Sequence, residues 1–116
     1  MEKLFNHISI YVGIVGGVIA GFLGGWDMLL KTLVFMACAD YSTGVIRGIY
    51  TKTLSSEIGF KGLLKKIVMF IVIAVAYEIQ LLLKNTIPLR EVVSTFYICN
   101  EALSILENAA MFVPIP

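Results

Sequence analysis

The sequence predicts an all-α, polytopic integral membrane protein, either with four transmembrane helices or with three and a last helix lying along the interface. Three observations carry this. The 116 residues are 59% hydrophobic and 15% charged, with a mean hydropathy of +0.91, well above the apolar share of a soluble domain. Uncharged runs approach the length a helix needs to cross the roughly 30 Å hydrocarbon core of a bilayer. Basic residues gather between two of those runs, as they do in cytoplasmic loops.

The first span extends from about Ile8 to Gly25 without a charge. A cleavable signal peptide is the competing reading, but its apolar region is normally shorter, about 7 to 15 residues, and no Ala-x-Ala-like site precedes Trp26. Within this span Gly13, Gly17, Gly21 and Gly25 recur every fourth residue, beside a second row of Gly16, Ala20 and Gly24. Tyr11, Val15, Val18, Ile19, Phe22 and Leu23 occupy the other side. In lipid the backbone satisfies its own hydrogen bonds, so such a span stays helical, and its flat side lets another backbone approach closely. The rows therefore serve either contact between subunits or close packing inside one.

The second span, about Met28 to Gly48, carries Asp40 near its middle. A charge there costs on the order of 2.5 to 3.5 kcal/mol on insertion scales, so it must face protein or water. Arg47 is seven residues away and reaches Asp40 only by bending back, which makes a partner on another helix plausible. Glu78 poses the same problem in the third span, about Ile67 to Leu83. In the fourth segment, about Ile87 to Val113, one polar stripe follows the helix at 100° per residue: Arg90, Ser94, Tyr97, Asn100, Glu101, Ser104, Glu107 and Asn108. Such a stripe binds a neighbouring helix, lines water in an assembly, or rides the membrane surface.

The segment from about residue 47 to 66 reads as a basic cytoplasmic loop, with Arg47, Lys52, Lys61, Lys65 and Lys66 against a single Glu57. Within it Ser56 could cap a short interfacial helix whose lysines reach headgroups, or the segment is a plain basic connector. Threading four spans from that anchor places six of the nine basic residues inside and predicts cytoplasmic N- and C-termini. No repeat or long linker divides the chain, so residues 1–116 form a single membrane domain.

Several function classes lack their signatures. There is no GxSxG, Walker loop or H-E-x-x-H, and the lone His7 has no evident catalytic companion, so no catalytic residue is expected and the chain reads as a non-enzyme. No cofactor and no metal site is expected; Cys38 and Cys99 fall in apolar segments without a C-x-x-C and read as buried, inert thiols. The net charge of +1 gives no nucleic-acid footprint.

The combination of DYSTG (Asp40 to Gly44), KTLSSEIGFKGLLKK (Lys52 to Lys66) and NEALSILENAAMFVPIP (Asn100 to Pro116) resembles the toxin-secretion and phage-lysis holin family, over roughly residues 30 to 116. The resemblance implies a small non-catalytic protein of the bacterial cytoplasmic membrane. Such a protein accumulates, forms homo-oligomers among membrane lipids, and opens lesions through which an endolysin or large toxin leaves, with no direct contact to that cargo required. The family pattern falls on Asp40, Tyr41, Thr43, Gly44, Ser55, Ser56, Gly59, Gly62, Lys66, Asn100, Glu101, Ser104, Ile105, Leu106, Glu107 and Asn108. Family members commonly carry a charged tail beyond the proline motif, and none follows Pro116 here.

Two other classes compete. A small four-helix transporter or channel would use a membrane carboxylate to couple protons to a solute, although small multidrug transporters resemble a pattern with a first-span glutamate that is lacking here. A non-conducting accessory subunit would show no flux alone.

Overall fold

The computed structural model describes Met1 to Pro116. Four helices and no strand follow in order: α1 (Glu2–Phe22), α2 (Met28–Thr51), α3 (Ser56–Leu82) and α4 (Leu89–Ala109). Local chemistry sets each boundary. After α1, Gly24 and Gly25 take positive φ values of 96° and 103°, and the Gly25 N–H donates to Ala20 O at 2.8 Å, the left-handed glycine stop of a helix. These two glycines thus belong to a turn rather than to the packing rows in which they were expected.

Asp27 opens α2 by accepting the Leu30 N–H at 3.0 Å. At the far end Lys52 adopts left-handed geometry (φ 59°), and Thr53 N–H returns to Gly48 O at 2.9 Å. Ser55 then caps α3, its Oγ accepting the Ile58 N–H at 3.1 Å. The cap is Ser55, not Ser56, and α3 continues unbroken through Lys61, Lys65 and Lys66 into the apolar span. The expected basic loop over 47–66 accordingly shrinks to Lys52–Ser55: Arg47 ends up on α2, and three of the lysines on α3. Pro88, which cannot continue a helix from its N-terminal side, precedes α4, which ends at Ala109, short of the expected Val113.

Helices α2, α3 and α4 form a bundle in which α4 packs on both others. Its apolar core is Leu30, Leu33, Ala37, Met69 and Ile73, joined by Leu23 from the turn after α1. Only 13 of 116 residues are buried, and the outward surface is crowded with Ile, Val, Leu and Phe. Water would drive such a surface to aggregate, whereas lipid solvates it. Two helices, α1 and α2, are long and apolar enough to cross a membrane.

Helix α1 touches the bundle only toward its C-terminal end. None of its residues is buried; Ala20 packs against the core. An apolar groove of about 540 Å³ opens between α1, α2 and α3, lined by Gly16, Ala20, Leu30, Val34, Phe70 and Ala74 among others. A Cβ added at Gly13, Gly16, Gly17 or Gly21 would meet nothing within 4 Å, so close packing inside one subunit does not occupy these glycines. Cys38 and Cys99, expected to be buried, are exposed, because they fall on faces of α2 and α4 that no other helix of the chain covers.

Candidate functional site

Helical geometry places Arg90, Ser94, Glu101 and Asn108 on one face of α4, spaced four, seven and seven residues apart. All four are buried against the other helices. Of the three readings of the polar stripe, contact between helices is the one realised within the chain. Ser104 and Tyr97 are half-buried beside it, whereas Asn100 and Glu107 lie exposed at its edge.

At the centre of the seam, Lys66 of α3 donates to Asp40 Oδ2 of α2 at 2.7 Å and to Glu101 Oε2 of α4 at 2.8 Å. One ammonium therefore bridges two carboxylates from two other helices. The three side chains retain only 16%, 15% and 11% of their exposure. Burial of this kind is tolerable only when each ion is paired. Asp40 thus finds its partner on another helix, and that partner is Lys66, expected among the headgroup-reaching lysines, rather than Arg47.

Asn108 extends the seam by about two turns of α4. Its Nδ2 donates to Thr43 Oγ1 at 3.1 Å and stands 3.4 Å from both Asp40 O and Oδ1, while its Oδ1 accepts from Arg47 Nη1 at 3.5 Å. The amide lies over Gly44, where an added Cβ would make ordinary van der Waals contact with Nδ2 at 3.7 Å. Tyr41 fits a notch in α3 made by Gly59 and Gly62 and donates its hydroxyl to Gly59 O at 3.1 Å. No buried side-chain nitrogen or oxygen is left without a partner, as a stable polar network requires.

A second cluster closes the opposite end of the bundle. The Arg90 side chain is 4% exposed and its guanidinium forks onto Asp27, with Nη1 to Oδ2 at 2.9 Å and Nη2 to Oδ1 at 3.0 Å. Nη2 also donates to Gly25 O at 3.2 Å, and Nε to Leu23 O. The Arg90 backbone N–H donates to Gln80 Oε1 at 2.7 Å. A Cβ on Gly24 would overlap the guanidinium, so the positive φ and the cradle both require glycine at that position. Asp27 lies outside the helices' apolar stretches; the Arg90 hydrogen bond first, then the Leu30 N–H, hold its carboxyl down from 3.8 to about 2.

Sequence reasoning expected a polar membrane face of Asp40, Tyr41, Thr43, Gly44, Asn100, Glu101, Ser104, Glu107 and Asn108; the structure joins Asp40, Thr43, Glu101 and Asn108 in one network, sets Tyr41, Gly44 and Ser104 beside it, and leaves Asn100 and Glu107 exposed. It missed the Lys66 bridge and the Arg90 clamp. The signal for Lys66 was present: membrane carboxylates on two different spans call for a cation on a third. Lys52, Lys61 and Lys65 are exposed, and Glu78 is exposed on α3. No group of His, Cys, Asp and Glu side chains is arranged to hold a metal ion.

A small all-helical membrane protein, apolar outside and joined inside by a polar seam, is the class that fold and site define. Within it, the chain belongs to the bacteriophage holin family, whose model matches residues 17–116. An uncharacterized 14.9 kDa protein of Clostridium perfringens is 42% identical over 118 residues, which span all of this chain and 89% of the relative. An uncharacterized protein of Listeria monocytogenes is 46% identical over 88% of this chain and 74% of its own length. A protein of Bacillus phage phi105 described as a probable holin is 34% identical over 82% of this chain and 71% of its own. No solved structure matches the chain. Membership of this family fits a non-enzymatic membrane protein with a holin-type role.

Proposed function

We propose that the protein accumulates in the bacterial cytoplasmic membrane with all four helices spanning it and both termini inside. It associates with copies of itself through the glycine face of α1 and then opens lesions that release an endolysin or a large toxin. The observation that carries this reading is the polar seam. Asp40, Lys66, Glu101, Ser104 and Asn108 are polar enough to line water yet are hidden inside a bundle whose outside suits lipid. A protein that must stay harmless while it accumulates and later surround water needs both properties. Lys52, Lys61 and Lys65 face the cytoplasmic headgroups in this orientation.

Inducible expression in a bacterial host tests the reading, following a folded cytosolic reporter the size of an endolysin together with membrane potential and a small dye. Abrupt, delayed release of the reporter is the expected outcome, and Glu101→Leu abolishes it. Flux of dye or ions with the reporter retained would favour a transporter or narrow channel instead. No flux of any kind would favour an accessory subunit.

A further inference from the structure

Arg90 lies on the same face of α4 as Ser94, Glu101 and Asn108, and all four are buried. The seam and the clamp are therefore mechanically one object: a rotation of α4 that turns Glu101 and Asn108 toward water must also draw Arg90 out of its cradle. The two ends resist differently. At the Asn108 end the contacts span 3.1 to 3.5 Å, and Lys66 is a flexible point charge that can follow Glu101 as it moves. At the Arg90 end a planar fork is matched to two carboxylate oxygens and two backbone carbonyls, a fit that a rotation of α4 cannot preserve.

We propose that the Arg90–Asp27 clamp is a brake: it holds α4 with its polar face inward, and its release precedes opening of the lesion. This rests on the holin reading above. Because Leu23, Gly25 and Asp27 all belong to the α1–α2 turn, the brake also fixes α1, which is otherwise held only by the shallow apolar groove. Opening it frees α4 to turn and α1 to leave the α2–α3 face in one step.

The test combines timing with water access in the full-length protein. Ser94, 2% exposed on the seam, is replaced by cysteine in a Cys38→Ser, Cys99→Ser background, and its reaction with a membrane-impermeant maleimide is followed during accumulation, alongside release of the folded reporter. Asp27→Asn removes the ion pair but keeps a strong helix cap for α2; Arg90→Lys keeps the charge but loses the fork. Both variants are expected to raise labelling of S94C before release by roughly tenfold, the factor carried by a lost charge-assisted hydrogen bond. Both also bring release forward at equal membrane levels of protein. Unchanged labelling would overturn the proposal, as would faster labelling with release unchanged or delayed. If one variant fails to accumulate, the other decides. Absence of reporter release from the unsubstituted protein would instead defeat the holin reading, while the labelling rates still report whether the clamp holds α4.

Discussion

Asp27 serves two helices at once. Its Oδ1 accepts the Leu30 N–H in the first turn of α2, and both of its oxygens receive the guanidinium that begins α4. Because Arg90 and Leu30 stabilise the ionised form, the folded-state pKa is depressed from 3.8 to about 2. The sign follows directly: this carboxylate contributes stability that is fully present above its unfolded value and is lost as pH falls through its folded value. Half of the Asp27 side chain is exposed (51%), so solvent screening keeps the contribution modest. Thermal unfolding of the detergent-solubilised protein, compared with Asp27→Asn, is expected to differ by a constant amount at neutral and mildly acidic pH. The difference shrinks only between about pH 4 and pH 2. A difference that already collapsed near neutrality would mean that the clamp is held by another group. Lys66 obeys the opposite economy: buried between two carboxylates, it matters less for the attraction it supplies than for the two unpaired charges its removal would leave.

At the scale of the helix, α1 separates two roles that its sequence shows mixed together. Gly24 and Gly25 are glycines because the chain turns there with positive φ and the Arg90 side chain lies against Gly24. At Gly13, Gly16, Gly17 and Gly21 an added Cβ would meet nothing within 4 Å, on a helix with no buried residue. Periodicity alone could not divide the set, since the rows run into the turn without a break in spacing. The start of α3 was legible only in part: lysines at the head of an apolar span read as a basic connector or as a short helix capped by Ser56, whereas Ser55 caps a long helix that carries them without interruption. Space around the glycines makes a sharp prediction. Gly17→Leu fits the single chain without a clash, so helix content and membrane insertion should be unchanged, while self-association should weaken by roughly tenfold or more, the scale of a close-packed membrane helix contact. Crosslinking in membranes reads this directly, and an unchanged ladder of crosslinked species would remove α1 from the interface.

For the molecule as a whole, what could be read in advance was the part governed by periodicity. Four helices, the polar stripe of α4 and the need to hide Asp40 all follow from spacing and from the cost of charge in lipid. What could not be read was which side chains meet, because Lys66 with Asp40 and Arg90 with Asp27 are pairs 26 and 63 residues apart, chosen by three-dimensional packing. Their closure has a consequence for how the whole protein behaves in a membrane. A single chain satisfies every buried side-chain nitrogen and oxygen internally, so an isolated copy gains nothing by turning its seam outward and should not conduct. On the proposed reading, several copies that present their seams to a shared aqueous space let water replace the internal partners at once, so that exposure becomes favourable for all of them together. Permeability should therefore appear above a threshold density of protein rather than in proportion to it. Titrating expression while counting copies per cell and following reporter release checks this: a sharp onset is expected, and leakage proportional to the first copies would mean that single chains already open.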